Sequence, residues 1–123
     1  MKKTILMFLF VCSAFLAMAQ TSPVKFEESK HDFGKVTLNQ PASTSFEFTN
    51  TTSKPVIIEM AQASCGCTTP EYPKKPILPG KKAAIKVTYN AAAAGHFTKS
   101  VTVKFADVQQ PVILSITGEV VKG

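Results

Sequence analysis

The chain has 123 residues, and its 14 Lys and Arg against 8 Asp and Glu give a formal net charge of +6. That length holds one domain and not two. Its basic side chains are scattered, with Lys74-Lys75 and Lys81-Lys82 as the doublets beyond the N-terminus, which excludes the dense, aromatic-interleaved basic tract of a nucleic-acid binder.

The first residues read as an export signal. Lys2 and Lys3 form a positive start, residues 5–16 are apolar apart from Ser13, and Ala17-Met18-Ala19 places small residues where a signal peptidase reads. This predicts cleavage before Gln20, with a signal over residues 1–19 and a single domain over 20–123. The apolar run is too short to span a bilayer core, which takes about 20 apolar residues. Cys12 lies inside that run, so it reads as a small hydrophobe removed with the signal and not as a lipid attachment point. Two cysteines remain, in a periplasmic or secreted setting where thiols oxidise.

Short strands follow. Residues 24–27 alternate apolar and polar. Residues 45–49 alternate with Phe46 and Phe48 on one face. Residues 56–60 are more continuously apolar, as in a central strand, and residues 84–89, 100–105 and 112–117 complete the series. Period-2 alternation puts one face on a core and the other in water, and the β-branched and aromatic content agrees. Turn residues separate the runs: His31-Asp32-Phe33-Gly34, Asn39-Gln40-Pro41, residues 50–55, the proline-rich residues 72–80, residues 91–95 and residues 107–111. Ala91-Ala92-Ala93-Ala94 is long enough for one helical turn and no more. The pattern predicts an all-β fold, an antiparallel β-sandwich.

In order along the chain stand His31-Asp32-Phe33-Gly34-Lys35-Val36, an Asn-rich turn before Pro55, Ser64-Cys65-Gly66-Cys67-Thr68, Leu78-Pro79-Gly80 and Gly95-His96-Phe97. That set resembles the bacterial family known as domain of unknown function 1573. More distantly it is similar to the immunoglobulin-like modules of cilium and centrosome proteins and to the major sperm protein fold. The resemblance implies an immunoglobulin-like sandwich of about seven strands, exported by a Gram-negative bacterium. It implies no enzymatic activity.

Cys65-Gly66-Cys67 is the motif with chemistry. In an extended strand the two Cα atoms would lie about 6.6 Å apart, too far for a relaxed disulfide. A bond therefore requires a tight turn, which Gly66 permits because it lacks the Cβ that forbids positive φ. A bond closed that way would be readily reduced. Three readings stand: a local disulfide that shapes a bend, a soft-metal site for Cu(I) or Zn(II), and thiol–disulfide exchange outside any Cys-x-x-Cys context. A metal would need further ligands, and His31, His96 and Met60 are the candidates. In an up-and-down count, the chain leaves its strands at His31, Cys65 and residues 91–96 on the same end of the sandwich, which would gather His31, Cys65, Cys67 and His96 there. In the first of these segments Phe33 reads as a core contact, Gly34 as a turn and Asp32 as an acceptor for a local backbone N–H, not as a catalytic His-Asp pair.

These readings converge on an exported, non-enzymatic module, monomeric or weakly oligomeric, that binds a protein of the cell envelope. It would do so through an edge strand or a loop end, with outward lysines guarding the other edges. It needs no cofactor, nucleic acid or transmembrane segment. The alternative is a redox-active or soft-metal protein using Cys65 and Cys67.

Overall fold

A computed structural model describes residues 22–123; the expected signal segment and Cys12 lie outside the described residues. Eight strands form: β1 (Val24–Phe26), β2 (Lys30–Thr37), β3 (Ala42–Asn50), β4 (Ile58–Ala63), β5 (Thr68–Glu71), β6 (Lys82–Tyr89), β7 (Gly95–Phe105) and β8 (Val112–Val121). They make two four-stranded sheets, ordered β1-β3-β6-β5 and β2-β8-β7-β4.

The alternation seen in the sequence builds the core. Phe46 and Phe48 of β3 and Ile85 and Val87 of β6 are fully buried from one sheet. Val101, Val103 and Phe105 of β7 and Leu114 and Ile116 of β8 meet them from the other. The Phe48 and Phe105 rings touch edge to face across the interior, 6.1 Å between centroids. Each such side chain contributes about 1.5–3 kcal/mol through its removal from water.

The sandwich has eight strands instead of about seven because its first strand is split between the sheets. Glu27 N–H still donates to Glu47 O of β3, at 3.0 Å, whereas Ser29 O already accepts from Ser115 N–H of β8, at 2.9 Å. The chain keeps its direction through this crossing, so β2 pairs parallel with β8. The second sheet is therefore mixed, not wholly antiparallel. The segment expected as a turn, His31-Asp32-Phe33-Gly34, lies within β2. Its turn character survives as an irregularity between Asp32 and Lys35, where Gly34 adopts φ +67° and Gly34 N–H donates to Asp32 Oδ1 at 2.8 Å.

Other boundaries moved for local reasons. The strand expected from Val56 begins as a lone bridge to Ile77, and its ladder starts only at Ile58. β5 contains Pro70 and forms at the margin of its sheet, where a missing N–H costs no ladder bond. β7 extends back to Gly95. The alanines before it form an open connection, not a helical turn, with Ala91 at φ 54° and its carbonyl accepting from Asn39 N–H at 2.8 Å.

Two positions hold the packing in register. Asn50 is a buried polar residue, 1 % exposed, at the end of β3. Its Nδ2 donates to Lys54 O (2.7 Å) and Ile77 O (2.9 Å), and its Oδ1 accepts from Thr52 N–H (2.9 Å) and Thr52 Oγ1 (2.7 Å). Gly118 of β8 faces Phe97 of β7, whose ring stacks on Tyr89 with centroids 4.0 Å apart. A Cβ on Gly118 would come within 2.8 Å of that ring and 3.0 Å of Gly34 O.

Asn50→Ala removes one of two donors from each of Lys54 O and Ile77 O and the acceptor of Thr52 N–H, and is expected to cost about 1–3 kcal/mol in urea unfolding. Gly118→Ala should cost about 1–3 kcal/mol by displacing the Phe97 ring. An effect under 0.5 kcal/mol at either position would contradict these roles.

Candidate functional site

The Cys65-Gly66-Cys67 triplet forms the turn between β4 and β5, where the chain crosses from one sheet to the other. Thr68 N–H donates to Cys65 O at 3.4 Å, which closes the turn around Gly66 and Cys67. Both ends are tied to the ladders. Ser64 N–H reaches Ser100 O of β7, and Asn90 N–H, just past β6, reaches Cys67 O, each at 2.9 Å. The turn contracts the Cα–Cα distance of the two cysteines to 5.3 Å, and they form a disulfide.

Gly66 does not supply the freedom expected of it. It is absent from the positive-φ glycines, which are Gly34, Gly80 and Gly95, and a Cβ placed on it meets open space. The contraction comes from an ordinary turn that an L-residue can adopt. The bond spans a sequence separation of only 2, so on the chain-entropy relation it stabilises the fold by about 1.6 kcal/mol, against about 3 for a 15-residue loop. It is a weak staple in a turn already pinned on both sides.

Both cysteines are half-buried, Gly66 is exposed, and Thr68 beside them is buried at 4 % exposure. Thr68 Oγ1 lies 3.7 Å from Cys65 Sγ and 3.7 Å from Cys67 Sγ. This hydroxyl was not singled out from the sequence. The signal available was its position directly after the second cysteine, where alternation along β5 turns it inward.

The proposed ligands do not assemble around the sulfurs. The residues 91–95 connection does share the cysteines' end of the sandwich, through the Asn90–Cys67 hydrogen bond. His31, however, lies within β2, and β2 and β4 are opposite edges of one sheet, three strand spacings or about 14 Å apart. Its Nδ1 sits 3.0 Å from Glu28 Oε1, and its ring meets Phe33 edge-on. The side chain of His96 is 86 % exposed, with Nε2 3.9 Å from Glu119 Oε2, at a shallow depression of about 330 Å³ lined also by Asp32, Lys35 and Thr117. Met60 stands opposite Lys104, with 44 % of its surface exposed. Among the described residues no three His, Cys, Asp or Glu side chains group as a metal site. The four-residue site expected from the strand count fails because His31 stands on β2, at the opposite edge of the sheet from the β4 strand that leads into Cys65.

The sheet edges form a second candidate surface. β1 has three residues, β2 carries the Gly34 irregularity with Lys30 and Lys35, and β5 carries Pro70. Each is a device that blunts an edge. The β4 edge, Ile-Glu-Met-Ala-Gln-Ala, contains neither proline nor lysine, and its one irregularity, between Ile58 and Met60, lies at its start. The exposed large hydrophobics are Ile57 (42 %), Met60 (44 %), Leu78 (53 %) and Ile113 (50 %). All lie toward the end where β4 and β8 begin.

The family model described as "Protein of unknown function (DUF1573)" matches residues 24–120. No curated protein matches. Among solved structures, a protein of unknown function from Porphyromonas gingivalis W83 is similar at TM-score 0.69 and 15% identity, covering 82% of this chain and 48% of that one. This chain thus spans about half the length of that relative. The ASH/PapD-like domain of human CEP192 is similar at TM-score 0.64 and 8% identity, over 82% of this chain and 87% of that one. The YadV chaperone is similar at TM-score 0.54 and 14% identity, over 82% and 52%. At these identities the likeness is one of fold, an immunoglobulin-like, PapD-like sandwich.

Gly66→Ala is expected to change stability by less than about 1 kcal/mol in thermal unfolding, since the turn does not require glycine. A larger loss would mean that the turn depends on its flexibility after all.

Proposed function

The chain belongs to the family described as protein of unknown function DUF1573, and we propose that it is an exported, non-enzymatic module that binds a protein of the cell envelope along its β4 edge. The observation that carries this reading is the contrast among the four edges. Three are short, broken by a positive-φ glycine or proline-bearing, whereas β4, beyond its own irregularity between Ile58 and Met60, runs on to Ala63 without proline or lysine, with Ile57 and Met60 exposed at its start.

The chemistry on offer is binding chemistry. An extended segment of the partner would pair with the free N–H and C=O groups of β4 as an added strand. Ile57 and Met60 would supply apolar contact, and Met60 suits an irregular surface because its side chain is flexible and polarisable. No ladder joins β4 to β5 among the described residues, so the strand's outer side is free to accept one.

Export is supported by the signal-like first residues and by the Cys65–Cys67 disulfide, a bond that persists in oxidising compartments. A binding role is in keeping with the kinds of protein that share this sandwich, one of them described as a chaperone.

The test is cross-linking of the tagged chain in its own cell envelope, followed by titration of the captured partner. Ile57→Asp with Met60→Asp should weaken binding at least tenfold. Because both side chains are exposed, stability should stay within about 0.5 kcal/mol. Full binding by this variant, with a folded chain, would remove β4 as the docking edge.

A further inference from the structure

We infer that the Cys65–Cys67 disulfide is a thiol–disulfide exchange site that accepts two electrons from a dithiol, with the Thr68 hydroxyl stabilising the sulfur that leaves. The inference stands on the turn alone and does not depend on the β4 edge.

Three observations carry it. First, the sandwich does not need the bond. The turn is closed by Thr68 N–H to Cys65 O and anchored by the Ser64–Ser100 and Asn90–Cys67 backbone hydrogen bonds. Both flanking strands are laddered to their neighbours, β4 to β7 and β5 to β6. The sulfurs can therefore change oxidation state within a fixed backbone. Second, they are not enclosed: both cysteines are half-buried, Cys67 against the core, Gly66 between them is exposed, and apart from the cysteines themselves no heavy atom lies within 4 Å of where its Cβ would stand. Third, Thr68 is buried, and its hydroxyl sits 3.7 Å from each sulfur. A buried hydroxyl facing a disulfide finds only a weak acceptor, whereas facing a thiolate it donates to an anion, and such charge-assisted hydrogen bonds are the stronger kind.

The exchange balances as follows. One thiolate of the dithiol attacks Sγ of either cysteine. The Cys65–Cys67 bond breaks as the mixed disulfide forms, and the other cysteine leaves as a thiolate that accepts a hydrogen bond from the Thr68 hydroxyl. The second thiolate of the dithiol then attacks its own sulfur in the mixed disulfide and releases the remaining cysteine thiolate. The dithiol ends as a disulfide, two electrons have passed to the protein, and the two protons lost by the dithiol are available to the Cys65 and Cys67 thiolates. A hydroxyl that stabilises the departing thiolate lowers its basicity and so speeds the first step. Equidistance from the two sulfurs lets Thr68 serve whichever of them leaves.

The experiment treats the full chain with dithiothreitol as the dithiol probe and traps thiols by alkylation. Both thiols are counted by mass on the tryptic peptide that carries Cys65 and Cys67, while far-UV circular dichroism reports the fold. Both thiols should appear with the β signal unchanged. Thr68→Val should slow their appearance at least fivefold, and Thr68→Ser should restore the rate to within twofold of the parent chain. The Ile57→Asp, Met60→Asp variant should exchange at the parent rate, which separates this site from the docking edge. Thiols that appear only as the β signal is lost would identify the bond as a structural clamp and overturn the inference. A Thr68→Val chain that is folded and exchanges at the parent rate would overturn the role of the hydroxyl.

Discussion

The corner at Asn50 is the constraint on which the two-sheet arrangement rests. At the end of β3 the chain must leave one sheet, pass over the end of the sandwich and start β4 in the other. Such a crossing exposes backbone carbonyls at the margin of the core, and a carbonyl buried without a donor costs about as much as a lost hydrogen bond. Asn50 adds a second donor to two such carbonyls, which also accept from Val56 N–H and the Thr52 hydroxyl. Its amide donates to Lys54 O in its own connection and to Ile77 O in the β5–β6 connection. Its main chain adds bonds to Gly80 and Lys81 of that second connection. Two irregular segments are thereby held as one, and the Val56–Ile77 bridge between them follows.

At the opposite end of the sandwich the cross-links are mostly backbone, with Ser64 Oγ accepting from Ser100 N–H beside them. Leu38 N–H bonds to Val121 O, Asn39 N–H to Ala91 O and Asn90 N–H to Cys67 O, at 2.8, 2.8 and 2.9 Å. No buried amide side chain is needed there because the connections are short and lie against strand ends. Thr68 is the buried polar side chain at that end, and its hydroxyl partners are sulfur atoms. The two ends thus differ in kind. One uses a saturated polar hub to carry long, proline-containing connections and leaves apolar side chains facing outward. The other is tight and holds the sulfurs on an already fixed turn.

Much of this was legible in the sequence, and the parts that were not share a cause. Phe46 with Phe48, Ile85 with Val87, and Val101 with Val103 keep period 2, so their strands and inward faces could be read directly. β2 could not. Its inward side chains Phe33 and Val36 are three positions apart, an odd spacing that no regular strand can place on one face; the irregularity at Gly34 inserts the residue that makes it possible. Gly118 similarly interrupts the inward series Leu114, Ile116, Val120, and the missing side chain is supplied by the Phe97 ring from the neighbouring strand. A glycine's role there depends on what packs over it, which local pattern does not encode.

The misplaced histidine follows from the same irregular strand. Once Asp32 and Gly34 are read as a turn, His31 becomes a loop residue at a strand end, and the strand count carries it to the end that holds Cys65 and Cys67. Once they are read as an irregularity inside β2, His31 moves to the far edge of the sheet, where its partners are Glu28 and Phe33. The polar group left beside the sulfurs is then a hydroxyl and not an imidazole. An imidazole would add a ligand; a hydroxyl adds a donor whose hydrogen bond strengthens when sulfur becomes an anion.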